Sequence, residues 1–344
     1  MDIKDRANRL LSDMAAPPGS LGLLEKQIKK VFICWNELHK EIKPCHLIFA
    51  ADNGIVEEGV VRQMQEITYI QAKNMAAGRA AVNCFCKCNN IPYKVADVGI
   101  NNTKAVGYDY KVAKGTKNFL KEPAMSRAEY DKAFHAGVDM VRRAKSEGCN
   151  LISIGEMGIG NTTTSSAVLY ALTRVAPEFI VGYGANKVHP EVIERKREVI
   201  AQAIELYKDK MKTPADIIQY VGGFDIAAMC GAMIECSRSN MPFVLDGFIT
   251  AVAFACASVM YPEAARHGIA SHMSREPGML YALKLGGIKE DEVPIRADLA
   301  LGEGTGAVLF VSMLRTMMYT VWNIAKMTEV EDCLPEVDVN MKEA

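Results

Sequence analysis

The feature of this 344-residue sequence that most restricts its fold is a series of short apolar runs, each halted abruptly by Gly, Asp or Glu. They read HLIFAADNG, YKVADVGI, NLISIGEMGIG, FIVGYGAN and MPFVLDGF. A strand without apolar/polar alternation must be covered on both faces, the condition of a parallel sheet. Helical stretches separate the runs, over 69–83, 127–145, 164–175, 190–208 and 225–236. The alternation predicts an α/β fold, a doubly wound parallel sheet with helices on both faces. Ligands of such sheets bind beyond the carboxyl ends of the strands, so the halting Gly, Asp and Glu mark the expected site.

Composition excludes several classes. With 49% hydrophobic and 24% charged residues the chain can bury a large core. Its 40 basic and 41 acidic side chains cancel, leaving no bulk field for nucleic acid or an anionic membrane. No apolar run approaches the roughly 20 residues that cross a bilayer, and MDIKDRANRL lacks the apolar centre of a secretory signal, so a cytoplasmic protein is expected. The ten cysteines are then expected to be reduced and mostly buried. Cys84, Cys86 and Cys88 in CFCKC invite a metal reading, but their one-residue spacing does not match zinc pairs and no second ligand pair follows. No metal is expected; packing cysteines are the better account.

Two segments carry chemistry. In 151–167, LISIGEMGIGNTTTSSA, an apolar strand runs into glycines and then hydroxyl-rich helix starters. Gly158 and Gly160 suit a tight turn, and Asn161, Thr162 and Thr163 offer cap oxygens and amides that can cradle a phosphate. A glycine turn before a well-capped helix, without ligand, is the alternative. The segment is neither a P-loop nor a dinucleotide G-x-G-x-x-G. Glu156 lies inside the turn, where an ionised carboxylate would repel a phosphate unless it points elsewhere, toward sugar hydroxyls or an incoming base. In 301–307, LGEGTGA, glycines flank Glu303 and would let a ligand approach its carboxylate, as a general base requires; an exposed loop glutamate is the alternative. His272, Ser274 and Glu276 in SHMSREPG either line a donor site or cap and pack a helix start, Asp246 and Asp52 either bind ribose or cap, and Met229 and Met233 read as core.

Read in order, PPGSLGLLE, ADNG, EEGV, DVGI, GTKNF, PAMS, GEMGIGNTT, GGFDIAAMCGAM, LDGFIT, SHMSREPG and LGEGTGA span 17–314 and resemble one family, the nicotinate-nucleotide:dimethylbenzimidazole phosphoribosyltransferases. The resemblance implies a large Rossmann-like domain, placed at 26–310, and a small helical domain built from both termini, 1–25 with 311–344. It implies a dimer, of like chains or of unlike homologous subunits, and small-molecule substrates with no cofactor, nicotinate mononucleotide being itself a substrate. Glu303 then resembles the catalytic base and Glu156 the second carboxylate. Gly158, Gly160, Asn161, Thr162 and Gly304 would surround the nucleotide, with Lys196 near its phosphate. The reaction implied moves ribose 5-phosphate to the lower-ligand base of a cobamide with inversion at C1′. A carboxylate at an ordinary pKa of about 4.3 cannot fully deprotonate a phenol near 10, so proton transfer should accompany attack, and apolar walls around the base would favour it.

The sequence departs from the family around the base. After EEGV the family carries a small hydroxyl residue, an aromatic and a proline, where Val61, Arg62, Gln63 and Met64 stand here; Asn53 replaces a histidine, and GYGAN a GRGTG loop. Val61, Gln63, Met64 and Leu301 are the expected base pocket. The changes fit a branch of the family that activates phenol or p-cresol as a pair of unlike subunits. A non-catalytic or regulatory subunit is the second reading, which retention of both glutamates opposes. A nucleotide-binding kinase or dehydrogenase would rest on fold analogy alone.

Overall fold

The computed structural model describes residues 1–184 and 189–331. Ala185 and Asn186 of GYGAN and the acidic end from Asp332 lie outside the described residues. By its internal contacts the chain divides into a large unit, Ile42–Ser312, and a small unit, Met1–Glu41 with the chain from Met313 onward.

The large unit is built on six parallel strands. They are β1 (Pro44–Ala51), β2 (Tyr93–Gly99), β3 (Tyr108–Asp109), β4 (Leu151–Met157), β5 (Phe243–Leu245) and β6 (Gly268–Ala270). Their order is β3-β2-β1-β4-β5-β6. Successive side chains of a strand point to opposite faces, and all eight residues of β1 are buried, so both faces of the sheet are covered. This is the α/β arrangement that the apolar runs predict. The order reverses between β1 and β4, and such a reversal opens a crevice at the strand tips.

Two expected elements differ. FIVGYG, the described part of FIVGYGAN, is not a strand: Pro177–Ile180 is a short helix started by proline, and Gly182 and Gly184 lie in the loop that follows. The stretch 69–83 is two helices, Glu66–Ala76 and Ala81–Cys88, parted at Gly78, whose φ is +73°. β3 and β6, of two and three residues, were missed because neither lies in a longer apolar run such as the one that marks three-residue β5. The helix Phe224–Arg238 is apolar on nearly every side and buried along almost its whole length, Met229 and Met233 included, as expected of a central helix. It lies against Arg127–Ser146 so closely that a Cβ on Gly137 would stand 1.8 Å from the Ala228 carbonyl oxygen. Of the nine described cysteines, all free, Cys84 and Cys88 are exposed and Cys149 half-buried.

The small unit holds the helices Ile3–Ser12 and Leu23–Trp35. An antiparallel bridge between Met14 and Lys326 and a hydrogen bond from Trp322 Nε1 to the Leu38 carbonyl (2.9 Å) tie its two chain segments together. The boundary placed at 25/26 cuts through the second helix; the division falls after Glu41 instead.

Candidate active site

A cavity of about 320 Å³ opens in the large unit. Its wall takes Glu156–Ile159 from the tip of β4, Asn161 and Thr162 from the next helix, Asp246 and Gly247 after β5, His272 and Ser274–Glu276 after β6, and Leu299–Glu303. Gly184, Phe248–Thr250, Gln63, Ile67 and Gln71 complete it.

Glu303 stands on unusual backbone. Gly302, Glu303 and Gly304 have φ of +80°, +62° and +88°, so a glutamate occupies a left-handed conformation that costs a residue with a side chain about 1–2 kcal/mol. The loop is held from three sides. Asp246 accepts hydrogen bonds from the backbone N–H of Gly304 (3.2 Å), Gly306 (2.8 Å) and Ala307 (3.2 Å), capping the helix Thr305–Asn323. His46 on β1 donates from Nε2 to the Glu303 carbonyl (2.9 Å). Gly155 on β4 lies so close that a Cβ there would stand 2.2 Å from that carbonyl oxygen. Gly304 and Gly306 therefore serve a different purpose from the one expected, whereas Gly302 lines the cavity. A Cβ on Gly304 would lie 2.1 Å from the His46 ring and one on Gly306 2.2 Å from that of His272, so they admit the protein's own histidines.

The Glu303 carboxylate accepts from Gln71 Nε2 (2.6 Å) and from the backbone N–H of Val82 (3.0 Å), in the first turn of Ala81–Cys88. Polar donors hold it, where apolar walls were expected. Neither Gln71 nor His46 was singled out by sequence; the four-residue spacing of Gln63, Ile67 and Gln71 was the available signal for a shared face.

Glu156 is buried, and its carboxyl accepts from Asn161 Nδ2, which also donates to Asp225 (3.1 Å). Burial pushes Glu156 up to about 8; the Asn161 bond opposes the rise, and Asp225, Asp246 and Glu303 add to it. Burial likewise lifts Asp225 to about 6. Glu156 is thus protonated at neutral pH and does not repel an anion. The expected cap differs as well: left-handed Gly160, which has no side chain, is the N-cap of Asn161–Thr173, and the Asn161 amide turns to the carboxyls instead.

Lys196 is buried behind the wall and donates to Thr162 Oγ1 (3.2 Å) and the Gly182 carbonyl (3.4 Å). Burial lowers its pKa, opposed by Glu276. Glu276, raised by burial, accepts from the Gly184 N–H (2.7 Å). Gly158, Asn161, Thr162, Gln63 and Leu301 line the cavity, whereas Gly160, Gly304 and Lys196 stand behind it. Two expected pocket residues are absent from the wall: Val61 packs against the core, and Met64 is 70% exposed. Both precede the helix Glu66–Ala76 that brings Ile67 and Gln71 to the site. Asp52 accepts from the Asn101 N–H (2.8 Å), holding the turn after β2 outside the cavity.

Fold and site are together those of an α/β enzyme with its cavity at the strand tips. A family profile described as phosphoribosyltransferase matches residues 1–331. A nicotinate-nucleotide–dimethylbenzimidazole phosphoribosyltransferase of Clostridium perfringens is 36% identical over 94% of this chain and 90% of its own length. One of the same name from Acetivibrio thermocellus is 37% identical over 89% and 87%. The crystal structure of CobT from Thermus thermophilus superposes with a TM-score of 0.90 at 34% identity, over 96% of this chain and 98% of that one. The chain belongs to the nicotinate-nucleotide:dimethylbenzimidazole phosphoribosyltransferase family, whose members are pentosyltransferases.

Proposed function

We propose that this chain moves ribose 5-phosphate from nicotinate mononucleotide to an aromatic lower-ligand base, giving an α-linked ribotide for cobamide synthesis. The observation that carries the reading is Glu303, a carboxylate in the cavity wall whose side chain and backbone are both tied down. The donor's phosphate goes to Thr162, backed by Lys196, with Arg275 in the same wall. Gly158 and Asn161 flank the ribose beside protonated Glu156, which can donate to a sugar or carboxylate oxygen.

The acceptor lies at the Gln63, Gln71 and Leu301 side. Its O–H or N–H proton passes to Glu303 as its heteroatom bonds to C1′ from the face opposite nicotinate. The C1′–N bond breaks with its electron pair going to the ring nitrogen, so a pyridinium leaves as neutral pyridine nitrogen and needs no acid. The donor is itself a substrate, and the scheme calls for no resident cofactor. General base catalysis contributes about 10²- to 10⁴-fold.

For the acceptor we favour phenol or p-cresol. Gln63 and Gln71 bring amides to the wall, and amides can hold a phenolic oxygen. A purely structural subunit has no physical reason to keep two buried carboxylates in one cavity. The chain is expected to act as a dimer of like or unlike subunits. Purified protein, alone and with a homologous subunit, is incubated with nicotinate mononucleotide and mixed phenols and benzimidazoles, and the ribotide is identified by mass. A phenolic ribotide is expected, with Glu303→Gln folded and its turnover reduced about 10²- to 10⁴-fold. Benzimidazole product alone would refute the acceptor, and a fully active Glu303→Gln the base.

A further inference from the structure

His46 takes no part in the cavity wall, yet it is completely buried at the root of the loop that carries Glu303. Its Nε2 lies 2.9 Å from the Glu303 carbonyl oxygen, and its Nδ1 2.9 Å from Ser153 Oγ. A carbonyl only accepts, so Nε2 carries the proton. In the neutral ring Nδ1 is then the acceptor, and the Ser153 hydroxyl donates to it. The sheet fixes this pair, because His46 on β1 and Ser153 on β4 are partners in the parallel register. The ring also fills the space that a side chain on Gly304 would need. Burial holds the imidazole well below its ordinary range, at about 4, so one tautomer serves across neutral pH.

Glu303 sits in left-handed backbone, a conformation that the loop must be held in rather than one that a glutamate prefers. A base misplaced by about 1 Å loses about 10²-fold in rate. The Gln71 and Val82 donors fix the carboxylate end of the side chain; the His46 bond fixes its backbone end.

We propose that His46, oriented by Ser153, is a positioning residue for the transfer reaction, acting through the Glu303 carbonyl to set where the base carboxylate stands. The proposal rests on the reading of Glu303 as the base. It assigns the sheet interior a role in turnover that involves no contact with substrate.

Five full-length proteins test it: His46→Leu, which keeps bulk and loses the donor; His46→Gln, which keeps a donor near the place of Nε2; Ser153→Ala; Glu303→Gln; and His46→Leu combined with Glu303→Gln. Melting curves check folding, calorimetry measures nicotinate mononucleotide binding, and kcat and KM are determined separately. His46→Leu is expected to bind the donor as the parent does and to lose about 10²-fold in kcat at unchanged KM. His46→Gln should recover most of that loss. In the Glu303→Gln background His46→Leu should cost nothing further, because its effect passes through the missing base. A folded His46→Leu with parental kcat, or an equal loss in both backgrounds, overturns the role. If His46→Leu does not fold, Ser153→Ala decides, with a several-fold fall in kcat supporting the role and a parental kcat overturning it. A fully active Glu303→Gln sinks the base and this role together, whereas an inactive one beside a fully active His46→Leu sinks this role alone.

Discussion

Burial of Glu156 beside Asp225 and Asp246 couples folding stability to pH. Its carboxyl, ordinarily near 4.5, is lifted to about 8, so between those values the folded chain holds a proton that the unfolded chain has released. Stability from this group is therefore fully present below about 4.5 and is lost as pH rises through about 8. Asp225 and Asp52, each lifted to about 6, contribute in the same direction at lower pH. Asp246 and Glu276 are raised too, so the comparison with Glu156→Gln isolates the one group. Melting of the free protein between pH 6.5 and 8 should show a decline with a limit of about 1.4 kcal/mol per pH unit that the variant largely lacks. Parallel curves for the two proteins would mean that Glu156 is ionised in the fold. The sequence made Glu156 visible by placing it in a glycine turn, but its protonation comes from burial in the folded chain, to which Asp225 and Asp246, 69 and 90 positions away, add.

At the scale of elements, the strand tips and the GEGTG loop form a single fitted part. Asp246 closes the N-terminus of Thr305–Asn323, although the helix that follows it in the chain is Phe248–Met260; sequence proximity pointed to the wrong helix. Gly304→Ala places a methyl within 2.1 Å of the His46 ring in left-handed backbone, which needs ring and loop to part. A loss of about 1–3 kcal/mol in denaturant unfolding is expected, with turnover falling in the folded fraction. A variant of parental stability would show that the loop tolerates displacement from β1. Sequence pattern found the helices Arg127–Ser146, Pro190–Tyr207 and Phe224–Arg238 and, as unbroken apolar runs, the central strands, but it did not single out the helices Phe248–Met260 and Thr305–Asn323. It misread FIVGYGAN, where an apolar run of the same appearance supplies a helix turn and a glycine loop.

On the scale of the whole molecule, the small unit joins segments from opposite ends of the sequence. The Met14–Lys326 bridge and the Trp322–Leu38 hydrogen bond are its cross-links, and neither segment has both halves of these contacts. A chain ending at Ser312 is therefore expected to leave 1–41 open to limited proteolysis while the large unit resists. Equal resistance of 1–41 in the truncated and full chains would show that the N-terminal helices hold without their C-terminal partners. The same discontinuity explains the displaced boundary: nothing in PPGSLGLLEKQ marks a domain edge, because the contacts that define it come from beyond residue 312.

Local pattern in the sequence determined the parallel sheet, the tips where ligands gather and the two glutamates worth naming, since apolar runs and glycine turns act over a few residues. Tertiary structure alone decided what those glutamates are. The proton on Glu156, the left-handed seat of Glu303 and the His46 and Gln71 contacts that fix it arise from burial and from hydrogen bonds between residues far apart in the chain. Such forces depend on distance in space, which short-range sequence patterns do not encode.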